Sequence, residues 1–181
     1  MRIIAGECRN RRIQALPGAV TRPTPDRVRE ALFNILAPDV PESHFLDLYA
    51  GSGANGIEAL SRGASSATFI EESAAAVRIV RTNLQNLRLT HRATVLHQSL
   101  PRAIGGLEAP AGGYNLVFAD PPYGAGDYAE LLEAIDASRI LARDGRIIVE
   151  HSTRVSMPEA IGGLTRGETR KYGDTVLTFF A

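Results

Sequence analysis

The sequence predicts an α/β fold built on a mostly parallel sheet of seven strands, with helices on both faces, an antiparallel C-terminal hairpin and a small N-terminal hairpin extension. Three observations carry that prediction. From residue 44 onward, short apolar runs alternate with segments of helical periodicity; strands separated by helices need crossovers, which makes neighbouring strands parallel. The first of these strands runs into a glycine-rich turn that opens a helix. Near the end, two extended runs flank Gly173-Asp174, a tight-turn pair that reverses the chain.

Residues 1–20 read as the extension: Ile3 and Ile4, an arginine-rich turn, then Ile13 and Leu16. The remainder, 21–181, reads as one domain. In "TRPTPDRVREALFNIL", Thr24 suits an N-cap, Pro25 the first helical position, and Asp26 complements the helix dipole. Val28, Ala31, Leu32, Ile35 and Leu36 recur at helical spacing, which leaves Arg27, Arg29, Glu30 and Asn34 on other faces. Pro38 and Pro41 end that helix. "HFLDLYA" is the first strand, followed by a helix over about 54–62; "ATFIE" is the second, followed by a helix over about 73–88. "ATVLH" is the third, with a short helix near 98–104, and "GGYNLVFAD" the fourth, with a helix over about 127–137. "RIIVEH", "LTRGETRKY" and "TVLTFF" complete the sheet.

Composition narrows the function classes. The chain has 181 residues, 44% hydrophobic and 22% charged, which is the make-up of a soluble globule. No apolar run approaches the roughly 20 residues of a membrane span, and "MRIIAGECRNRR" lacks the features of a secretory leader. The single cysteine, Cys8, has no partner for an internal disulfide, so a cytoplasmic location and no membrane association are expected. The four histidines show no ligand spacing, so no metal is expected. No interface stripe is evident, and a monomer is expected. Net charge is zero, yet residues 1–30 carry an excess of +4. Such a local cluster suits phosphate, which arginine grips bidentately.

Two motifs carry the chemistry. In "LDLYAGSGANGIEAL", Gly51, Ser52, Gly53 and Gly56 follow a strand and open a helix. Glycines there let the backbone approach a ligand closely. Glu71 closes the next strand 20 residues beyond Gly51, where a carboxylate can accept both hydroxyls of a ribose. Asp47 lies just ahead of the loop; an anion there is unfavourable beside a pyrophosphate and suits a cationic, phosphate-free nucleoside. S-adenosylmethionine is such a ligand.

The second motif is "VFAD" followed by "PPY" at the end of the fourth strand. Ligands of an open parallel sheet bind outside the carboxyl ends of its strands. Asp120 and the Pro121 carbonyl form a two-acceptor clamp for the hydrogens of an exocyclic –NH₂, and Tyr123 offers a ring for base stacking. Two acceptors favour a more tetrahedral nitrogen whose lone pair can meet an electrophilic methyl in line.

On these motifs the sequence resembles the RsmD family of bacterial class I S-adenosylmethionine-dependent methyltransferases, which act on the guanine N2 amine of 16S rRNA. The resemblance runs through "MRIIAG", "TRPTPDRVREALFNIL", "LDLYAGSGANGIEALSRGA", "FIE", "VFADPPY" and "YGDT". It implies a Rossmann-like fold with Gly51, Gly53 and Glu71 on the cofactor. Asp120 and Pro121 would hold the guanine amine and Tyr123 would stack on the base. Arg2, Arg9, Arg11, Arg12 and Arg22 would help dock 16S rRNA of the 30S subunit or its assembly intermediate. Two positions depart from the family pattern: Ser73 replaces a frequent acid, and Gln98 and Ser99 stand where Asp or Asn often meets adenine. The clamp alone leaves other readings open: an N6-adenine DNA methyltransferase, a protein-glutamine methyltransferase, a non-catalytic ribosome-assembly factor that binds RNA, or a nicotinamide oxidoreductase.

Overall fold

The computed structural model describes residues 1–15, 26–122 and 128–181. Thr24, Pro25, Arg22 and Tyr123 lie outside the described residues. Helix α1 is Asp26–Ile35, followed by β1 (His44–Leu48), α2 (Ala54–Ser61), β2 (Ser66–Glu71), α3 (Ala74–Leu87) and β3 (Ala93–His97). Then come β4 (Tyr114–Ala119), α4 (Tyr128–Ser138), β5 (Leu141–Ser152), β6 (Ala160–Ile161), β7 (Leu164–Tyr172) and β8 (Thr175–Phe180). The strands form one sheet in the order β3-β2-β1-β4-β5-β8-β7-β6. β1 to β5 pair in parallel, and β8, β7 and β6 add antiparallel. This is the expected architecture with one strand more: β6 has two residues, too few to leave an alternation in the sequence. The short helix expected near 98–104 is a 3₁₀ turn at Arg102–Gly106, after Pro101.

Strand order reverses between β1 and β4, and an open sheet presents its ligand crevice at that reversal. Two apolar layers fix the sheet around it. Phe45, Phe69, Phe118 and Ile148 bury one face against α1, α2 and α3, while Leu46, Leu48, Val117, Ile147 and Val149 bury the other. Side chains alternate along a strand, so each strand end delivers its last residues to a defined side.

The N-terminal extension is built into the first of these layers. Met1, Ile3, Asn10, Arg11 and Ile13 pair as a short ladder, and Ile3, Cys8 and Ile13 are buried in the layer. Gly6 (φ 82°) lies against the Ser61 carbonyl, where a Cβ would come within 1.7 Å of that oxygen, so only glycine fits. Glu58, 0% exposed on α2, accepts hydrogen bonds from the Ile4 and Ala5 amides (2.9 and 3.0 Å) and from Arg62 Nε (2.8 Å).

Arg29 corrects the helical reading of α1. Its side chain is fully buried and donates to the Arg2 carbonyl (2.6 Å) and to Asp26 (3.0 Å), with Glu58 3.9 Å away. The periodicity placed it off the apolar stripe because the extension that covers it is remote in sequence. A buried ionic cluster is most costly when it loses one member. Glu58→Ala is therefore expected to lower unfolding free energy by about 3–5 kcal/mol in urea titrations, and to speed hydrogen exchange at the Ile4 and Ala5 amides first.

Candidate active site

The glycine turn joins β1 to α2 and is held from two sides. Glu71, at the end of β2, accepts from the Gly51 amide through Oε2 (2.8 Å) and from the Ser73 amide through Oε1 (2.8 Å). Asp47, 1% exposed, accepts from the Gly56 amide (2.8 Å). Gly56 packs so closely that a Cβ would sit 2.3 Å from the Phe69 ring, which makes it a helix–sheet contact. At Gly51 the nearest neighbour of an added Cβ is 3.9 Å away, so the open side of the turn lies there. Ser73 caps α3 by accepting from the Ala76 amide (3.4 Å).

Beyond β2 and β3 the loops are laced together. The Gln98 amide donates to the Glu71 carbonyl (3.1 Å), and Ser99 Oγ donates to Glu72 (3.0 Å). Both residues are exposed at the carboxyl end of the sheet, the side on which Glu71 meets the turn.

Across the strand reversal, Asp120 follows β4 and Pro121 is buried behind it. No hydrogen bond from a described residue reaches the Asp120 carboxyl. Its neighbours are anionic instead: burial first, then Glu150, then Asp47 hold its pKa well above the ordinary carboxylate value. Burial likewise pushes Asp47 up to about 8, with Glu71 adding to the rise and the Gly56 amide opposing it. A half-buried acid without a hydrogen-bond partner among the described residues, beside two buried acids, is poorly satisfied by them. This donor set fits a cationic nucleoside such as S-adenosylmethionine, and it disfavours the pyrophosphate of a dinucleotide.

The arginines occupy a separate surface. Arg2, Arg9, Arg11 and Arg12 are exposed on the extension. Arg2 donates to the Asn10 carbonyl (2.8 Å) and Arg11 to the Asn86 carbonyl of α3. Residues 74–107 contain no acid, and Arg78, Arg81 and Arg88 of that stretch are exposed.

Two functional candidates escaped the sequence reading. Buried Asn83 on α3 pairs with both backbone groups of Gln14, accepting at 2.8 Å and donating at 3.0 Å, and donates to the Ser52 carbonyl at 3.0 Å. It braces the arginine-bearing extension against the glycine turn. The other is Glu150 on β5, whose signal was present: "RIIVEH" ends an apolar strand with an acid, as "LVFAD" does. His151 turns to the opposite face, where Nε2 meets Thr178 Oγ1 at 2.8 Å and the ring meets Tyr128 edge-on. Among the described residues no three His, Cys, Asp or Glu side chains group to hold a metal ion, and no helix is long and apolar enough to cross a membrane.

Comparison with known proteins places this geometry. The family described as "Conserved hypothetical protein 95" matches residues 1–181. The chain is 38% identical over 180 residues to "Putative rRNA methyltransferase YlbH" of Bacillus subtilis (strain 168), covering 99% of this chain and 98% of that protein. It is 38% identical over 158 residues to "Ribosomal RNA small subunit methyltransferase D" of Escherichia coli (strain K12), covering 87% and 78%. The solved structure "Putative methyltransferase yhhF from Escherichia coli" superposes with a TM-score of 0.85 at 32% identity, over 99% of this chain and 96% of that one.

Asp47 gives a stability test with a definite sign. Its pKa is raised on folding, so the folded state binds the extra proton and stability falls as pH climbs from the unfolded value toward about 8. Asp47→Asn is expected to be the more stable protein near pH 8, by at least the roughly 1.4 kcal/mol of one pK unit. The gap should close near pH 4, as read from thermal melts across that range.

Proposed function

The chain belongs to the RsmD family of S-adenosylmethionine-dependent methyltransferases, matched along its full length, and on that premise we propose that it methylates the exocyclic N2 amine of a guanine in 16S rRNA. The observation that carries this reading is the Asp120 carboxyl, which has no hydrogen-bond partner among the described residues, followed by Pro121 at the crevice that also takes the glycine turn. Relatives named as small-subunit ribosomal RNA methyltransferases support the choice of RNA. Exposed Arg9, Arg11 and Arg12 support a surface that meets its phosphates.

Gly51, Ser52, Gly53 and Glu71 would hold the nucleoside, with Gln98 and Ser99 beside its adenine and Asp47 backing the turn. When bound, S-adenosylmethionine supplies an electrophilic methyl on a positive sulfonium. An aryl amine is a poor nucleophile because its lone pair is delocalised into the ring. Asp120 and the Pro121 carbonyl accept its two hydrogens and turn that lone pair out of the ring plane, so most of the gain is positional. The nitrogen becomes acidic only once it bears a fourth bond, and its proton then leaves to Asp120 or water. Tyr123 stacks on the base, worth about 1–3 kcal/mol. The enzyme works in the cytoplasm on the small subunit or its precursor, as a monomer.

Nucleoside mass spectrometry of rRNA from cells lacking the protein tests the reading. N2-methylguanosine should be depleted at one site and return when purified protein and cofactor are added; an unchanged level in both overturns it. Asp120→Ala should cut turnover by at least about 10²-fold while S-adenosylhomocysteine still binds. Because the Asp120 pKa is raised, kcat/KM of the wild type should climb with pH as that carboxyl ionises.

A further inference from the structure

β4 and β5 run parallel with Phe118 opposite Ile148 and Ala119 opposite Val149. Phe118 and Ile148 belong to one apolar layer and Ala119 and Val149 to the other. By alternation the next pair, Asp120 and Glu150, turns toward the Phe118 side. Asp47 of β1 sits opposite Phe118 and on that same side. Glu150 is 6% exposed and its partner on β8 is apolar Leu177.

The remaining charged and titratable groups around Asp120 can be placed by element. β1 contributes Asp47, and Tyr49 follows it; β2 contributes Glu71, which acts on Asp47. β5 contributes Glu150, and its His151 faces the other layer with Tyr128 of α4. Among the described residues, the charged neighbours that act on the Asp120 carboxyl are Glu150 and Asp47, both acids. Two adjacent carboxyls, Glu150 buried and Asp120 half-buried, resist ionising together, since each charge is desolvated and repels the other.

We propose that Glu150 is a positioning residue for methyl transfer: standing beside Asp120, it keeps a proton on that carboxyl until a cation enters the cleft. This rests on the reading under Proposed function and deepens it. S-adenosylmethionine carries a sulfonium and S-adenosylhomocysteine a neutral thioether, so the first drives ionisation of Asp120 and the second does not. The carboxyl's O–H bond breaks, its electron pair stays on oxygen, and the proton goes to solvent. The clamp is thereby charged when the methyl donor is present, and the spent cofactor meets a site that re-protonates and releases it.

Calorimetric titration of the wild type with each ligand, in buffers of different ionisation enthalpy over roughly pH 6 to 9, reads the linkage directly. S-adenosylmethionine binding should release protons and tighten with pH, by up to about tenfold per unit for one proton, while S-adenosylhomocysteine binding stays nearly flat. Glu150→Gln should move that pH limb downward and reduce proton release at neutral pH; Glu150→Asp, which keeps the charge, should restore it. Identical pH profiles for the two ligands, or a Glu150→Gln profile superimposed on wild type, overturn the proposal and leave the methyltransferase reading intact. Failure of both ligands to bind overturns both. Should Glu150→Gln not fold, carbon NMR titration of wild-type carboxyls decides. Shared two-step curves at Asp120 and Glu150 support the role, and independent single steps overturn it.

Discussion

The site depends on a repulsion that the fold tolerates. Asp47, Asp120 and Glu150 stand on one side of the sheet at the carboxyl ends of β1, β4 and β5, and the Gly56 amide donates to Asp47. Crowding acids where water is partly excluded is costly, because each charge is desolvated and repels the others. The cost is carried by two apolar layers whose strands place the acids side by side. A chain selected for stability alone would have closed this point with apolar side chains. Keeping acids there is the signature of a working site.

The second constraint ties the N-terminal extension to the same scaffold. Glu58 and Ser61 on α2 hold the extension through the Ile4, Ala5 and Cys8 amides, and Arg29 reaches from α1 to the Arg2 carbonyl. Among the described residues Arg29 Nε and Nη1 are buried without hydrogen-bond partners, and its charge is offset by Asp26 at 3.0 Å and Glu58 at 3.9 Å. That arrangement is stable only while α1, α2 and the extension stay together. Asn83 then connects the same extension to the carbonyl of Ser52 in the glycine turn. The arginine-bearing turn and the glycine turn thus share one frame.

Much of this was legible in the sequence, for identifiable reasons. Strand and helix periods are local, so "HFLDL", "ATFIE", "YNLVFA" and the amphipathic α1 could be read where they stand. The strand-end position of Asp120 followed from the same pattern. What could not be read depends on distant partners. Arg29 is polar on a helical wheel and buried in space because residue 2 covers it. Glu58 and Asn83 are ordinary helical polar residues until the extension lies beside them. Glu150 was within reach, yet its meaning needs the β4–β5 register, which no single strand encodes. The two-residue β6 lies below the length at which alternation exists.

Two of the polar braces of the extension, Glu58 and Asn83, grip main-chain atoms. Glu58 takes the amides of residues 4 and 5, and Asn83 takes both backbone groups of residue 14 and the carbonyl of residue 52. These two braces do not read the side chains they fasten, whereas Gly6 and the buried Ile3, Cys8 and Ile13 are held by their own shape. Exposed Arg9 and Arg12 can therefore be exchanged over evolutionary time without loosening either brace. The chemistry beneath them would keep its alignment throughout.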